Sequence, residues 1–205
     1  GQHVEFSKTL TLAGSLKLGT SRDFQLSALQ LSAIPLFLRL ITLTHVPNLK
    51  IERMLTHLRS LMLQETIAGN MKDDGLPFAS ALALHCFTNE YVFAVTDEEI
   101  LSVEHLQKQI SELVEQKQDV PPSSIVTLGA YSPLHKFDWA QGLAEREWGK
   151  EVHAVIERQI SEPFMELSLR SELPCLTPVQ DTVSRSVRDQ YEENPYPRWV
   201  KSGLV

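Results

Sequence analysis

Helical periodicity dominates this sequence and restricts the fold it can adopt. In the run LKIERMLTHLRSLML, residues 49–63, apolar side chains recur every three or four positions, which aligns them on one face of an α-helix. No segment shows the alternation of apolar and polar residues that is typical of a half-buried strand. The sequence therefore predicts an all-α fold, an irregular array of about eight to ten packed helices with no Rossmann sheet. The apolar face of this run consists of Ile51, Met54, Leu55, Leu58, Leu61 and Met62.

Capping signals predict where several helices begin. Ser21 can cap a helix over SRDFQLSALQL, and Ser32 can cap the next helix, SAIPLFLRLITLTHV, with Pro35 in its first turn. Thr96 and Glu99 have the spacing of a capping box. The helix after them is expected to bury an apolar seam and to expose a mostly acidic face. The seam consists of Ile100, Val103, Leu106, Ile110 and Leu113.

Breaks in the periodicity suggest how the chain is divided. NMKDDG, residues 70–75, is the strongest internal boundary. The run after it, residues 77–95, is apolar on almost every side, and its length favours one central helix over a strand. The serines of DVPPSS can cap another helix, and a kink or break is expected near Gly149. We predict a helical domain over 1–190, with a subdivision into repeat-adjacent helices 1–70 and a helical core 76–190, followed by a linker over 191–205.

Composition argues against several classes of partner. The net charge is -7 and the isoelectric point is near 5.5, whereas a nucleic-acid or anionic membrane surface needs clustered lysine and arginine. No window approaches the ~20 apolar residues of a membrane helix, and the first residues do not resemble a signal peptide. We therefore expect a cytoplasmic protein with no nucleic-acid or membrane partner. Cys86 and Cys175 are expected to be buried thiols.

Sequence motifs for catalysis are not found. Glycine patterns for a Rossmann or phosphate-binding loop, a nucleophile elbow, HExxH and paired CxxC are all missing. The seven histidines never occur three or four residues apart, the spacing that would place two imidazoles on one helical face. The sequence therefore predicts no catalytic residue, no metal site and no cofactor site in this chain.

Asn89 and Glu90 interrupt the apolar run 77–95. An unpaired buried amide costs about 1 to 3 kcal/mol, and an unpaired charge costs more, so both side chains are expected to be hydrogen-bonded. Tyr131 is a candidate partner for them. Two interpretations stay open, a structural network that fixes helix packing and a contact with a ligand. A small all-α enzyme with Glu90 as general base is a third, weaker alternative.

The segment YEENPYPRW, Tyr191 to Trp199, is stiff and aromatic. Pro195 and Pro197 disfavour helical geometry at Asn194 and Tyr196, so the segment is predicted to be extended. Rigid aromatic side chains bind a groove at low entropic cost, and an arginine fork suits a carboxylate. The segment either docks on another unit or folds back over the core of its own helices. The predicted coupling residues are Tyr191, Asn194, Pro195, Tyr196, Pro197, Arg198 and Trp199.

The run SRSVRDQYEENPYPRW resembles the segment before the catalytic domain in bacterial proteins that join tetratricopeptide repeats to a class I S-adenosylmethionine-dependent methyltransferase. Other similar strings follow in the same order along the chain, so the resemblance covers roughly residues 32 to 199. Its most specific parts are NEYVF and YEENPYPRW. The other strings are PLFLRLITLTHVPNLKIERMLTHLRSLML, ALALHCFTNEYVF, AYSPLHKF and QISEPFMELSLRSELPCLTPVQD.

This resemblance implies a non-catalytic middle domain that regulates the methyltransferase or recruits its substrate. In the family, the glycine-rich loop for S-adenosylmethionine follows the NPYPRW string, so the cofactor is expected only in a domain that this sequence lacks. The expected partners are that methyltransferase domain in cis and a protein substrate. The alternative is a stand-alone helical scaffold for protein interactions, with the acidic helix from Asp97 to Lys117 or the segment Tyr191 to Trp199 as its contact surface.

Overall fold

The computed structural model describes residues 22–44 and 46–172, together with positions 11, 181, 184, 186, 187 and 190. No strand occurs among these residues, so the predicted all-α fold is confirmed. A π-helical turn, Glu157–Ser161, joins the last two helices, and short 3-10 turns lie at Asp73–Gly75 and Leu134–Lys136. The helices are α1 (Arg22–Ser32), α2 (Pro35–Leu43), α3 (Leu49–Ile67), α4 (Leu76–Thr88), α5 (Asp97–Glu115), α6 (Pro122–Gly129), α7 (Ala140–Ala144), α8 (Lys150–Ile156) and α9 (Glu162–Glu172).

Helix α4 forms the centre of the fold. It contacts α1, α2, α6 and α8, and its apolar residues, which include several alanines, occupy nearly its whole circumference. Small side chains let neighbouring helices approach closely, and a helix that is apolar on every side is stable only when it is surrounded. The expected central helix is therefore confirmed for residues 76–88.

The predicted extent of this helix to Val95 is wrong, because α4 ends at Thr88. Asn89 is the C-cap, and Glu90 and Tyr91 have left-handed φ angles of 51° and 56°. The Tyr91 amide donates to the carbonyl of Cys86 at 3.0 Å and the Glu90 amide to that of Phe87 at 3.2 Å, the two bonds of a Schellman motif. The backbone thus satisfies the last carbonyls of α4 without the glycine that usually marks such an end.

The predicted apolar face of α3 is confirmed, since all six of its residues are buried. The capping box of Thr96 and Glu99 is also confirmed at the start of α5. In the seam of α5, Leu106 and Ile110 are buried, but Ile100 is exposed and its predicted burial is wrong. Glu99 takes the buried position in that turn, and the next residue of a helix points about 100° away from it.

Two predicted serine caps are wrong. Ser32 is the last residue of α1, and α2 begins at Pro35 after Ile34, without a side-chain cap. Helix α6 likewise begins at Pro122 after Pro121, again without a side-chain cap. A proline at the first helical position has no amide hydrogen to satisfy and already has a helical φ angle, so the need for a serine there is reduced.

The break near Gly149 is confirmed, since α7 ends at Ala144 and α8 starts at Lys150. The boundary at NMKDDG is a 3-10 turn, and buried apolar residues from both sides of it belong to one hydrophobic cluster. Helices α1 and α4 contact each other across this turn. The two sides of the turn therefore share one core within the described part of the chain.

Among the described residues, no single helix combines the length and the apolar character that crossing a bilayer requires. Phe24–Ser32 and Pro35–Leu43 satisfy these criteria only as a pair, which is bent by 95°.

Candidate functional site

A buried arginine lies beneath the turn between α4 and α5. Arg59 of α3 is only 1% exposed, and its Nη2 donates to the carbonyl of Ala94 at 2.7 Å. Its guanidinium carbon lies 4.3 Å from the ring centre of Tyr131 and 5.5 Å from that of Phe93. Nε and Nη1 find no hydrogen-bond acceptor among the described residues. The two ring faces therefore provide much of the stabilisation of this buried charge.

Glu99 provides the negative charge near this arginine. The Tyr131 hydroxyl donates to Oε1 of Glu99 at 2.6 Å, and the Thr96 amide donates to Oε2 at 2.9 Å. Burial alone would raise the pKa of Glu99. The hydrogen bonds from Tyr131 and Thr96, together with the charge of Arg59, outweigh that effect and hold the pKa below its usual value. Glu99 thus closes the capping box and fixes Tyr131 over the guanidinium with the same carboxylate.

Two neighbours of Arg59 are kept in their neutral forms. Burial raises the pKa of the Cys86 thiol to about 12, although the charge of Arg59 opposes the shift. Burial and the hydrogen bond to Glu99 raise the pKa of Tyr131. A thiol reacts as its thiolate, so Cys86 is an inert part of the core and its predicted burial is confirmed. Cys175 lies outside the described residues.

The turn held by Arg59 carries several exposed apolar side chains. They lie on both sides of Ala94, the residue that bonds to Arg59, and continue into the first turn of α5. The backbone at Ala94 is bonded to the buried Arg59 side chain. This segment therefore has little freedom to move so that its apolar side chains become buried. This set, called the apolar turn below, consists of Val92, Val95, Ile100 and Leu101, which are 42% to 73% exposed.

A second buried polar group joins helices and turns around α4. Gln159 lies in the π turn and is fully buried. Its Nε2 donates to the carbonyls of Ala83 and Gly129 at 3.2 and 2.9 Å. Its Oε1 accepts from the Tyr91 hydroxyl at 3.3 Å and from the Leu134 amide at 3.4 Å. One amide side chain therefore connects α4, α6 and two turns.

The predicted polar residues Asn89 and Tyr131 bond to different partners in the structure. Asn89 is buried and its Nδ2 donates to the carbonyl of His85 at 2.7 Å, while Glu90 is half-buried in the turn. Tyr131 gives its single hydroxyl proton to Glu99. The described bonds of Asn89 and Tyr131 thus lie within the fold. The predicted coupling residues Tyr191, Asn194, Pro195, Tyr196, Pro197, Arg198 and Trp199 lie outside the described residues.

Arg59 and Gln159 were not singled out from the sequence, although a signal for each exists. Arg59 lies four residues after Leu55 and three before Met62, so it shares the apolar face of α3. Gln159 likewise lies four residues after Val155 and three after Ile156, which are both buried. A polar residue at a helical core position indicates a buried network, but the position alone does not name the partners.

An open cleft runs between α5 and the segment that follows the 3-10 turn Leu134–Lys136. Its volume is about 430 Å³, in the range of small ligand and peptide sites. Phe137 and Trp139 stack in it with ring centres 4.8 Å apart and planes tilted by 10°. The lining residues are Gln107, Ser111, Val114, Glu115, Lys136, Phe137, Asp138 and Trp139.

In the described part of the chain, no group of three or more His, Cys, Asp or Glu side chains is arranged to hold a metal ion. The chain matches no protein-family model, no curated protein and no solved structure. The function proposed below therefore depends on the geometry of these sites and on the resemblance described above.

Proposed function

We propose that this chain is a non-catalytic helical domain that positions a class I S-adenosylmethionine-dependent methyltransferase domain of the same protein. The observation that carries the proposal is the apolar turn, four exposed apolar side chains within ten residues on a backbone bonded to the core. Exposed apolar groups on a rigid support are typical of protein contact sites, because little conformational entropy is lost when they bind. The similar strings named above supply the identity of the partner.

The buried polar groups support a structural role for the core. Arg59 bonds to a backbone carbonyl, Glu99 to its own capping box and to Tyr131, and Gln159 to four backbone or side-chain groups. These contacts fix helices and turns relative to one another. A domain built in this way suits the orientation of a neighbour, because its surface keeps one shape.

The first experiment tests cofactor binding and the coding sequence together. Calorimetric titration of the 205-residue chain with S-adenosylmethionine should give no binding isotherm, while the reading frame downstream of codon 205 should encode a strand followed by a glycine-rich loop. Micromolar binding of the cofactor would contradict the non-catalytic role. A reading frame that stops near codon 205 would favour a stand-alone scaffold with its partner in trans.

The second experiment tests the apolar turn in the full-length protein. Val92→Ser with Leu101→Ser should lower the rate of methyl transfer several-fold, because the contact with the catalytic domain loses apolar area. Leu26→Ser with Leu29→Ser on α1 is the matched control, since both leucines are about half exposed. Equal rates in the two double variants would remove the turn from the proposed contact. Tyr196→Ala with Trp199→Ala tests the predicted linker in the same assay.

A further inference from the structure

We infer that the cleft between α5 and the segment Phe137 to Trp139 binds an extended, arginine-bearing segment of another protein. The inference goes beyond the positioning of a methyltransferase domain and does not depend on it. Three features of the described residues select this partner: the length of the cleft, its aromatic wall and the charge along α5.

The length of the cleft suits a short stretch of peptide. Its lining residues on α5 run from Gln107 to Glu115, and eight steps along a helix measure about 12 Å. An extended chain covers that distance with about four residues. The amide side chain of Gln107 can both donate to and accept from a peptide backbone. The cleft can therefore hold a few residues of an extended chain that passes through it.

An aromatic pair forms the wall that faces α5. The rings of Phe137 and Trp139 are half-buried and nearly parallel, with centres 4.8 Å apart. The Trp139 indole is fixed because its Nε1 donates to Ser111 Oγ at 3.0 Å, and a fixed ring loses little entropy when a ligand binds. A guanidinium is planar and weakly hydrated, so it stacks on aromatic rings, and tryptophan attracts cations most strongly. This wall therefore favours arginine over lysine.

The charge around the cleft favours a cationic partner. Glu115 and Asp138 line the cleft and are exposed, and Lys136 is the cation among its described lining residues. Residues 97–119, which include all of α5, carry seven carboxylates and two lysines. One of these lysines lies 3.8 Å from one of the carboxylates. The field along α5 is therefore negative, and such a field attracts and orients a basic segment.

The end of α5 adds a second source of negative potential. Glu115 is the last residue of this helix, and no basic residue lies in its last turn. The C-terminal end of a helix carries about half a negative charge, which favours cations. Arg146 already donates to the Gln118 carbonyl at 3.1 Å, just beyond this end. Among the described residues, neither Glu115 nor Asp138 takes part in an ion pair, so both can accept from a guanidinium of the bound segment.

The test is an NMR titration of the full, isotope-labelled 205-residue chain with an unlabelled synthetic peptide. The peptide is an octapeptide of glycine and alanine with two arginines. Matched peptides carry lysine, or citrulline, which keeps the shape of arginine without its charge. We expect the citrulline peptide to bind about tenfold more weakly, because two exposed ion pairs are lost, and the lysine peptide about threefold more weakly. Equal affinity of the arginine and citrulline peptides, or no binding of the arginine peptide, would overturn the inference.

The same spectra show where the peptide binds. The amides of Gln107 and Ser111 and the indole N–H of Trp139 should shift as the peptide is added. The indole N–H of Trp148, which donates to the Leu143 carbonyl at 2.8 Å, is an internal control and should keep its position. Shifts confined to another surface would contradict the proposed site. Shifts of the cleft signals on dilution of the chain alone would assign the cleft to a second copy and would also contradict it.

Carboxylate variants separate a site from a general attraction to an acidic helix. Glu115→Gln with Asp138→Asn should weaken binding of the arginine peptide about tenfold. Glu98→Gln with Glu104→Gln removes two exposed carboxylates of α5 that do not line the cleft. This control should change the affinity by less than about twofold, because salt screens distant exposed charges. Equal losses in the two double variants would show that no specific site exists.

Lys136→Gln tests the opposite sign. It removes the cation at the cleft, so the arginine peptide should bind about threefold more tightly while the citrulline peptide binds as before. A variant that fails to fold does not gain affinity, so this result cannot come from damage to the fold. An unchanged or lower affinity for the arginine peptide would overturn the inference. These measurements involve no methyl transfer, so this inference and the proposed function can fail separately.

Discussion

The two buried polar clusters next to α4 hold neighbouring helices and turns together with different chemistry. The cluster of Arg59, Tyr131 and Glu99 contains a buried positive charge with two guanidinium nitrogens that make no described hydrogen bond. The Gln159 cluster is neutral, and its amide bonds on both sides to groups of three elements. One cluster therefore contains a buried charge that its neighbours must balance, and the other contains a neutral amide whose donors and acceptors must be matched in position.

The two clusters also face different parts of the surface. Arg59 bonds to the turn that displays exposed valines and leucine, while Gln159 bonds to the 3-10 turn that precedes the aromatic cleft. The two clusters also meet at the first of these turns, because the Tyr91 hydroxyl, one residue before Val92, donates to Gln159 Oε1 at 3.3 Å. Substitutions in the two clusters are therefore expected to couple in their effects, since both clusters hold the same short segment of backbone.

The largest effect is expected from loss of the buried arginine side chain. Arg59→Ala should lower the free energy of unfolding by about 3 to 5 kcal/mol, because it removes a large buried side chain and leaves Glu99 without its charge partner. Arg59→Met keeps most of the side-chain volume without the buried charge. It should lower the free energy of unfolding by about 2 kcal/mol less than Arg59→Ala, because it leaves no large cavity. Urea denaturation measures both. Equal losses would show that the charge itself stabilises the core.

The neutral cluster should be disrupted by removal of its hydrogen bonds. Gln159→Leu keeps a similar volume but leaves the carbonyl of Ala83 and the amide of Leu134 without their present partner, so we expect a loss of about 2 to 3 kcal/mol. Gln109→Leu on the exposed face of α5 is the matched control and should change stability by less than about 0.5 kcal/mol. A similar loss in both variants would contradict a special role for Gln159.

Gly129 tests how closely the neutral cluster is packed. A Cβ at this position would lie 3.2 Å from Gln159 Oε1 and 3.3 Å from Nε2, and both atoms are held by hydrogen bonds. Gly129→Ala should therefore destabilise the protein by about 1 to 2 kcal/mol. Gly142→Ala in α7 meets no atom within 4 Å and should be neutral or slightly stabilising. Thermal unfolding of the two variants gives the comparison.

The smallest expected effect is a pH dependence of stability, which only the cluster that contains Glu99 should show. The pKa of Glu99 is lowered in the folded state, so its contribution is fully present above the pKa of the unfolded chain and is lost as the pH falls through the folded value. Glu99→Gln should cost about 1 kcal/mol at pH 7 and progressively less as the pH falls below the pKa of the unfolded carboxyl and through the lowered folded pKa. Gln159→Leu should cost the same over this pH range. A constant cost for Glu99→Gln would contradict the lowered pKa.

Parts of both clusters could be predicted from the sequence. The capping box of Thr96 and Glu99 is a local pattern of four residues, and it forms as expected. The expected hydrogen bonding of Asn89 is found, but its described bonds go to His85 in its own helix, and Tyr131 bonds to Glu99. Local spacing specifies contacts within one helix. Contacts between residues 32 positions apart depend on how helices pack, which spacing does not encode.

Predicted helix ends differ from the structure for a related reason. The apolar run from residue 77 to 95 has no glycine or proline to stop a helix after Pro77, yet α4 ends at Thr88. Two consecutive left-handed residues cost of order 1 to 3 kcal/mol each. Such strain is tolerated where tertiary contacts repay it, here by the Tyr91 hydroxyl at Gln159 and Gly129 and by burial of Phe93 against Arg59.

By itself, the sequence determined the helical class, the buried face of α3, the capped start of α5 and the break before Lys150, because each follows from periodicity or from bonds within one turn. Only the tertiary structure decided that Arg59 and Gln159 would be buried, that α4 would end early and that a cleft would form beside Trp139. The physical reason is that desolvation and hydrogen-bond satisfaction depend on neighbours distant in the chain. A residue's own helix fixes the direction of its side chain but not what surrounds it.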